Sequence, residues 1–77
     1  MEILTIDRLS ALGHAQRLAI FRLLMRRYPD WVSAGEIGDA LACKPSTLSG
    51  YLTTLMQAGL ITQERRGRSL LYTVAMN

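Results

Sequence analysis

Scarcity narrows this sequence first. Its 77 residues hold a single cysteine, Cys43, and a single histidine, His14. One thiol cannot close an internal disulfide, and it suits a reducing compartment. One Cys and one His cannot complete a four-coordinate zinc site within a chain. Long apolar runs are missing as well. The greasiest stretch, Leu18 to Met25, is broken by Arg22 and is far shorter than the ~20 residues a membrane helix needs. The first residues, Met-Glu-Ile-Leu-Thr-Ile-Asp, carry acids where a signal peptide carries Lys or Arg. There is no paired-carboxylate motif, no nucleophile beside an evident base and no Gly-rich phosphate loop, so nothing points to catalysis. Repeats, low-complexity tracts and linkers are also absent. The expectation is one soluble cytoplasmic domain over 1–77, not an enzyme, with no metal site and no cofactor.

What is present is more apolar surface than so short a chain can hide. Apolar residues make up 49% of the sequence, and a domain of this size buries only ~60% of its unfolded surface. That mismatch implies a partner surface, most simply a second copy of the chain. The net charge is +3. Its placement says more than its size. Arg8, Arg17, Arg22, Arg26 and Arg27 lie on or before the second helical stretch, Lys44 near the middle, and Arg65, Arg66 and Arg68 within four residues. The acids are scattered. Arginines on a helix surface are ordinarily just solvated, and Arg22, Arg26 and Arg27 are read that way.

Periodicity predicts a short helix from Leu4 to Leu12, with Ile6, Leu9 and Leu12 inward and Gly13 as its stop. His14 to Arg27 reads as the longest helix. Ala15, Leu18, Ala19 and Leu23 share one side, and Ile20, Phe21, Leu24 and Met25 widen the stripe, which implies a central helix contacted from several sides. Tyr28-Pro29-Asp30 breaks it. Ser33-Ala34-Gly35-Glu36 has the S-x-x-E form of a capping box. The helix it opens presents Ile37, Ala40 and Leu41 and ends near Ala42. Cys43 and Lys44 form a tight link, and Pro45 suits the first position of the next helix, about 45–57. Leu60–Glu64 and Ser69–Val74 read as strands of a hairpin around Arg66-Gly67, in a wing of about 60–74. The fold class is mainly α with a small β-hairpin: helix, helix, helix, short turn, helix, hairpin, which is a winged helix-turn-helix.

The last helix carries the functional argument. Leu48, Tyr51, Leu52, Leu55 and Met56 form one apolar stripe, and the opposite face holds Ser46, Thr47, Ser49, Gly50, Thr53, Thr54 and Gln57 with no charge at all. A solvated helix normally bears Glu and Lys there. An element entering the DNA major groove needs a slim face whose hydroxyls donate and accept. Ser46, Thr47, Ser49 and Thr53 supply these, and Gly50 leaves room for close approach. The helix N-terminus, with free amides near Ser46 and Thr47, suits a phosphate, and Lys44 and Pro45 beside it complete the expected DNA-binding set. Arg65, Arg66 and Arg68 add charge for the backbone or minor groove. Double-stranded DNA is therefore the expected partner. The alternative is a winged helix that contacts proteins through its apolar surface, in which the arginines are dispensable. Cys43 reads as a small apolar turn residue, with a redox-responsive thiol as the other reading.

The blocks "LSALGHAQRLAIFRLL", "AGEIGDAL", "STLSGYLTTLMQAGLI" and "ERRGRSLLYTV" resemble, in order, the ArsR/SmtB family of bacterial winged-helix repressors, over about Leu9 to Val74. The most specific parts are S-T-x-S-x-x-L, A-G-L-I and R-x-G-R-x-x-x-Y. The resemblance implies a homodimeric repressor that leaves a near-palindromic operator when an inducer binds. It also implies major-groove contacts from Ser46, Thr47 and Ser49 and wing contacts from Arg66 and Arg68. Ser33 and Gly35 stand where metal-sensing members carry Cys-x-Cys, Gly50 and Tyr51 where many carry histidine, and His14-Ala15 where Asp-Pro is usual. The family also adds a C-terminal helix after the wing. The expectation is either a trimmed DNA-binding fragment or a weak dimer built on Ile3, Ile6 and Leu9 of the first helix.

Overall fold

The longest unbroken polar-and-apolar patterns of the sequence become two helices of equal length. In the computed structural model, which describes residues 6–75, α1 spans Ile6–Leu12, α2 Ala15–Arg27, α3 Ala34–Leu41 and α4 Pro45–Gln57. Strand β1 is Val32–Ser33, β2 Ile61–Arg66 and β3 Ser69–Val74. The strands form one antiparallel sheet in the order β1-β3-β2. Ile3, and the side chain of Ile6, lie outside the described residues.

The core lies where α2, α3 and α4 meet one face of the sheet. Ile20, Leu24, Val32, Ile37, Leu52 and Leu55 are fully buried, with Ala11, Leu48, Leu60, Ile61, Tyr72 and Val74 around them. Truncating any of the large ones to Ala costs about 2–5 kcal/mol. The central helix is α2, which touches α1, α3, α4 and β3. Its innermost line is Ile20 and Leu24, whereas Leu18, Ala19 and Leu23 are half-buried and Ala15 and Met25 are exposed. A helix greasy on most of its girth has no sequence-marked inner edge, so the packing partners choose it.

Other expectations are corrected by the packing. Leu9 does not point inward: it is 54% exposed, and among the α1 side chains described, from Arg8 to Leu12, Ala11 is the buried one. A small side chain there lets α1 lie close to its neighbours. Ala40 is exposed too, leaving Ile37 as the buried anchor of α3. Strand β1 is absent from the sequence reading because two residues show no period; it exists through Val32↔Tyr72 and Ser33↔Leu71 pairing with β3. The hairpin tip is one residue later than expected. β2 runs through Arg65 and Arg66, Arg66 pairs with Ser69, and the loop is Gly67-Arg68. Gly67 has φ +61°, which a two-residue hairpin loop requires at its first position and glycine adopts without cost.

Two arginines are spent on helix ends. Arg17 Nε donates to Ala11 O at 2.7 Å and Arg17 Nη2 to Ser10 O at 3.3 Å, closing α1. Arg8 Nε donates to Ala58 O at 3.2 Å, behind the last turn of α4. A cation satisfies the orphan carbonyls there and complements the negative end of the helix dipole. His14 is the N-cap of α2 rather than its first residue: its Nδ1 accepts from Gln16 N at 3.2 Å. Its ring lies 5.0 Å from that of Tyr51, tying α2 to α4. Arg27, exposed as read from sequence, reaches Glu36 at 3.6 Å.

Candidate nucleic-acid interface

The helix pair α3–α4 is built around a three-residue turn, Ala42 to Lys44. Ser33 caps α3 by accepting from Glu36 N at 3.1 Å, and Glu36 Oε1 accepts from Ser33 N at 3.4 Å. Both halves of the capping box are formed. At the other end Ala42 takes the left-handed conformation, φ 51° and ψ 46°, and Cys43 N donates to Gly38 O at 2.9 Å. Gly38 is held by packing: a Cβ there would sit 3.2 Å from Cys43 O and 3.5 Å from Leu48 Cδ2. A side chain at 38 would need the turn at Cys43 to give by a few tenths of an ångström. Cys43 itself is half-buried against the core, a free thiol in the turn.

Next, α4 begins without a side-chain cap. Lys44 is the N-cap residue, φ −65° and ψ 146°, and Pro45 fills the first helical turn. The helix buries Leu48, Leu52 and Leu55 and half-buries Tyr51 and Met56, so the predicted stripe faces the core. Lys44, Pro45, Ser46, Thr47, Ser49, Gly50, Thr53 and Gln57 are all exposed. No residue from Pro45 to Gln57 is charged. A Cβ at Gly50 would meet nothing within 4 Å, so nothing in the chain requires a glycine there. Thr54 is the exception on this side: its hydroxyl donates to Gly50 O at 3.1 Å and is half-buried.

On the sheet, alternation divides the arginines. Arg65 shares a face with Leu70 and, through Gln63, with Tyr72, whose hydroxyl accepts from Gln63 Nε2 at 2.9 Å. Arg66 lies on the opposite face. Its Nε is 2.6 Å from Glu64 Oε2, and its guanidinium sits 5.8 Å from the centre of the Trp31 ring. Arg68 stands at the exposed tip. Neither Trp31 nor Glu64 was singled out from sequence. The Glu64/Arg66 pairing depends on β2 running through Arg66, two residues past the expected end of the strand, and the Trp31 contact depends on β1.

The structure thus brings Lys44, Ser46, Thr47, Ser49, Gly50 and Thr53 onto α4 and its start, and Arg65, Arg66 and Arg68 onto the hairpin. Leu9, the described member of the expected dimer surface, is on α1 and exposed. Among the described residues no three of His, Cys, Asp and Glu gather in a way that could hold a metal ion. Within the same residues no helix is long and apolar enough to cross a membrane.

The geometry has solved counterparts. The transcriptional regulator HlyU of Vibrio vulnificus is 28% identical over 92% of this chain and 71% of its own, with TM-score 0.81. A homodimeric winged helix-turn-helix DNA-binding domain, Mb0332 of Mycobacterium bovis, is a possible ArsR-family transcriptional regulator. It is 28% identical over 87% of this chain and 59% of its own, TM-score 0.79. The transcriptional repressor BigR of Xylella fastidiosa, 24% identical over 91% of this chain and 68% of its own, shares the fold with TM-score 0.81. No curated protein matches the sequence. The family model that matches is the IclR helix-turn-helix domain, over residues 15–65, from the start of α2 into β2. With a hairpin wing following the helix pair and joined to β1 in a three-stranded sheet, the chain belongs to the IclR helix-turn-helix domain family and has the winged helix-turn-helix fold of transcriptional regulators.

Proposed function

We propose that the chain is a sequence-specific DNA-binding repressor of the ArsR type, working as a homodimer on an operator and released from it by an inducer. The observation that carries this reading is the pairing of an uncharged, exposed α4 face with an uncapped helix start and an arginine-bearing hairpin. Ser46, Thr47, Ser49 and Thr53 read base edges in the major groove, with Gly50 admitting close approach. Lys44 and the first amides of α4, after Pro45, take a backbone phosphate. Arg65 and Arg68 hold the flanking backbone, and Arg66 joins them. The solved neighbours, a regulator, a repressor and a DNA-binding domain, support the class of activity. The homodimeric neighbour Mb0332 supports a second copy as partner. Ser33 is occupied as a cap and Gly35 has no ligand atom, which supports an inducer other than a metal bound at the start of α3.

The test is fluorescence anisotropy on the duplex upstream of the coding region and on a shuffled duplex, each at two salt concentrations. Tighter, salt-sensitive binding to the native duplex is expected. Arg65→Ala with Arg68→Ala should flatten the salt dependence by about 0.9 per arginine. Ser46→Ala with Thr47→Ala should bring the two duplexes closer in affinity. Equal binding of both duplexes by the unmodified chain would overturn sequence reading, and binding to neither would favour a protein-contact module.

A further inference from the structure

From Ala40 to Asn77 the sequence contains one acid, Glu64, against Lys44, Arg65, Arg66 and Arg68. It stands in the strand that carries the wing arginines, where a carboxylate repels phosphate and weakens any contact with DNA. Its position is not idle. Glu64 and Arg66 alternate along β2 onto one face, and Glu64 Oε2 lies 2.6 Å from Arg66 Nε. The same guanidinium lies over Trp31, 5.8 Å from the ring centre and within the range of a cation–π contact. Arg66 is therefore fixed from two sides by groups on separate parts of the chain. Among the described residues no ion pair of this kind involves Arg65 or Arg68.

We propose that Glu64 is a specificity-setting residue of the wing, an internal counter-ion that withholds Arg66 from DNA until a phosphate in fixed register replaces the carboxylate. This rests on the reading of the chain as an operator binder. The physical distinction is between two ways of using a cation. On random duplex, arginines act as diffuse charge, and each free one adds a phosphate contact wherever the protein lies. An arginine partly neutralised by a neighbouring carboxylate adds less in that mode. On the operator, base contacts from α4 hold one phosphate beside Arg66, and a bidentate guanidinium–phosphate pair can displace a single-point contact to Glu64. The pairing thus suppresses random binding more than operator binding. Trp31 keeps the guanidinium on the outer face during the exchange.

The test is a double-mutant cycle of Glu64→Gln and Arg66→Ala, with affinities measured on the native upstream duplex and on its shuffled counterpart between about 50 and 200 mM salt. E64Q should bind the shuffled duplex more tightly, with a salt slope steeper by up to about 0.9, so that the fourfold drop in salt multiplies its advantage by up to roughly 3.5. Its gain on the native duplex should be smaller, and the ratio of the two affinities should fall. In the R66A background, E64Q should change shuffled-duplex binding by much less. Equal gains from E64Q with and without Arg66 would reduce Glu64 to general repulsion and overturn the proposal. So would a gain of the same size on both duplexes. If the unmodified chain prefers neither duplex, operator binding itself fails and the proposal falls with it, whereas an E64Q effect absent beside normal operator preference would sink the proposal alone.

Discussion

The two helices of the pair begin in opposite ways. At α3 the chain satisfies its own amides: Ser33 and Glu36 exchange hydrogen bonds in a complete capping box. At α4 it puts a lysine at the N-cap and makes no side-chain cap. A cation beside the positive end of a helix is also unfavourable. Both starts have extended backbone at the cap, φ −73° and ψ 155° at Ser33 against φ −65° and ψ 146° at Lys44, so the backbone at Lys44 would accept a capping serine equally well. The chain completes one helix start and leaves the other unfinished. As a source of stability the second start is poor; as a docking point for an anion it is consistent, since amides and ammonium converge on one spot. The contrast extends along the helices. Whereas α3 ends on Ala42 and is closed by its own backbone, α4 offers solvent a row of hydroxyls with no charge among them.

Grafting the first start onto the second should change both stability and DNA binding. Lys44→Ser with Thr47→Glu rebuilds S-x-x-E across Pro45. The fold should gain about 1–2 kcal/mol from the cap and the acid in the first turn. DNA affinity should drop by roughly 100-fold, because a phosphate contact is lost and a carboxylate faces the backbone. Thermal unfolding and anisotropy on the same preparation read both. The reciprocal change, Ser33→Ala, should cost about 1 kcal/mol of stability and leave the affinity of the folded protein unaltered. Retained DNA binding by the graft would place the interface elsewhere.

How much of this was legible depends on whether a feature is local. The capping box, Pro45 at a helix start and the Leu48/Leu52/Leu55 stripe are fixed by residues within one or two turns, and the sequence shows each of them. The uncharged face of α4 is equally visible, because absence of charge needs no fold to detect. Features made by distant segments were lost. β1 is two residues long and exists only through Tyr72 and Leu71. Arg8 on α1 closes α4 fifty residues away, and Trp31 meets Arg66 only because β1 joins the sheet. Leu9 was misplaced for a third reason. A seven-residue amphipathic segment with leucine on two sides does not say which side is covered.

On the exposed face of α4, Gly50 bears no side chain. A glycine within a helix costs about 1 kcal/mol relative to alanine, and a Cβ at this position would touch nothing in the chain. Gly50→Ala should therefore raise the stability by about 1 kcal/mol, a shift of roughly 4–8 °C in Tm for a domain of this size. The same methyl should lower DNA affinity on native and shuffled duplexes alike if backbone and groove approach closely there. A more stable protein that binds DNA as before would show that Gly50 serves neither partner.

The smallest effect concerns the turn that separates the two starts. Ala42 is the one described non-glycine residue with positive φ, 51°, in a conformation where a Cβ crowds the following carbonyl at a cost of about 1–2 kcal/mol. Glycine there would remove the crowding but lose more backbone freedom on folding, by ~0.5–1 kcal/mol. Ala42→Gly should accordingly stabilise the fold by about 0.75 kcal/mol, the difference between the midpoints of those ranges, seen as an upward shift of a few degrees in Tm. The turn itself should not move, because Cys43 N still closes on Gly38 O and Gly38 still admits Leu48. Operator affinity at a temperature where both proteins are folded should then be the same. Weaker operator binding by the more stable variant would mean that the alanine stiffens the angle between the helices, and that the strain at Ala42 belongs to the interface rather than to the fold.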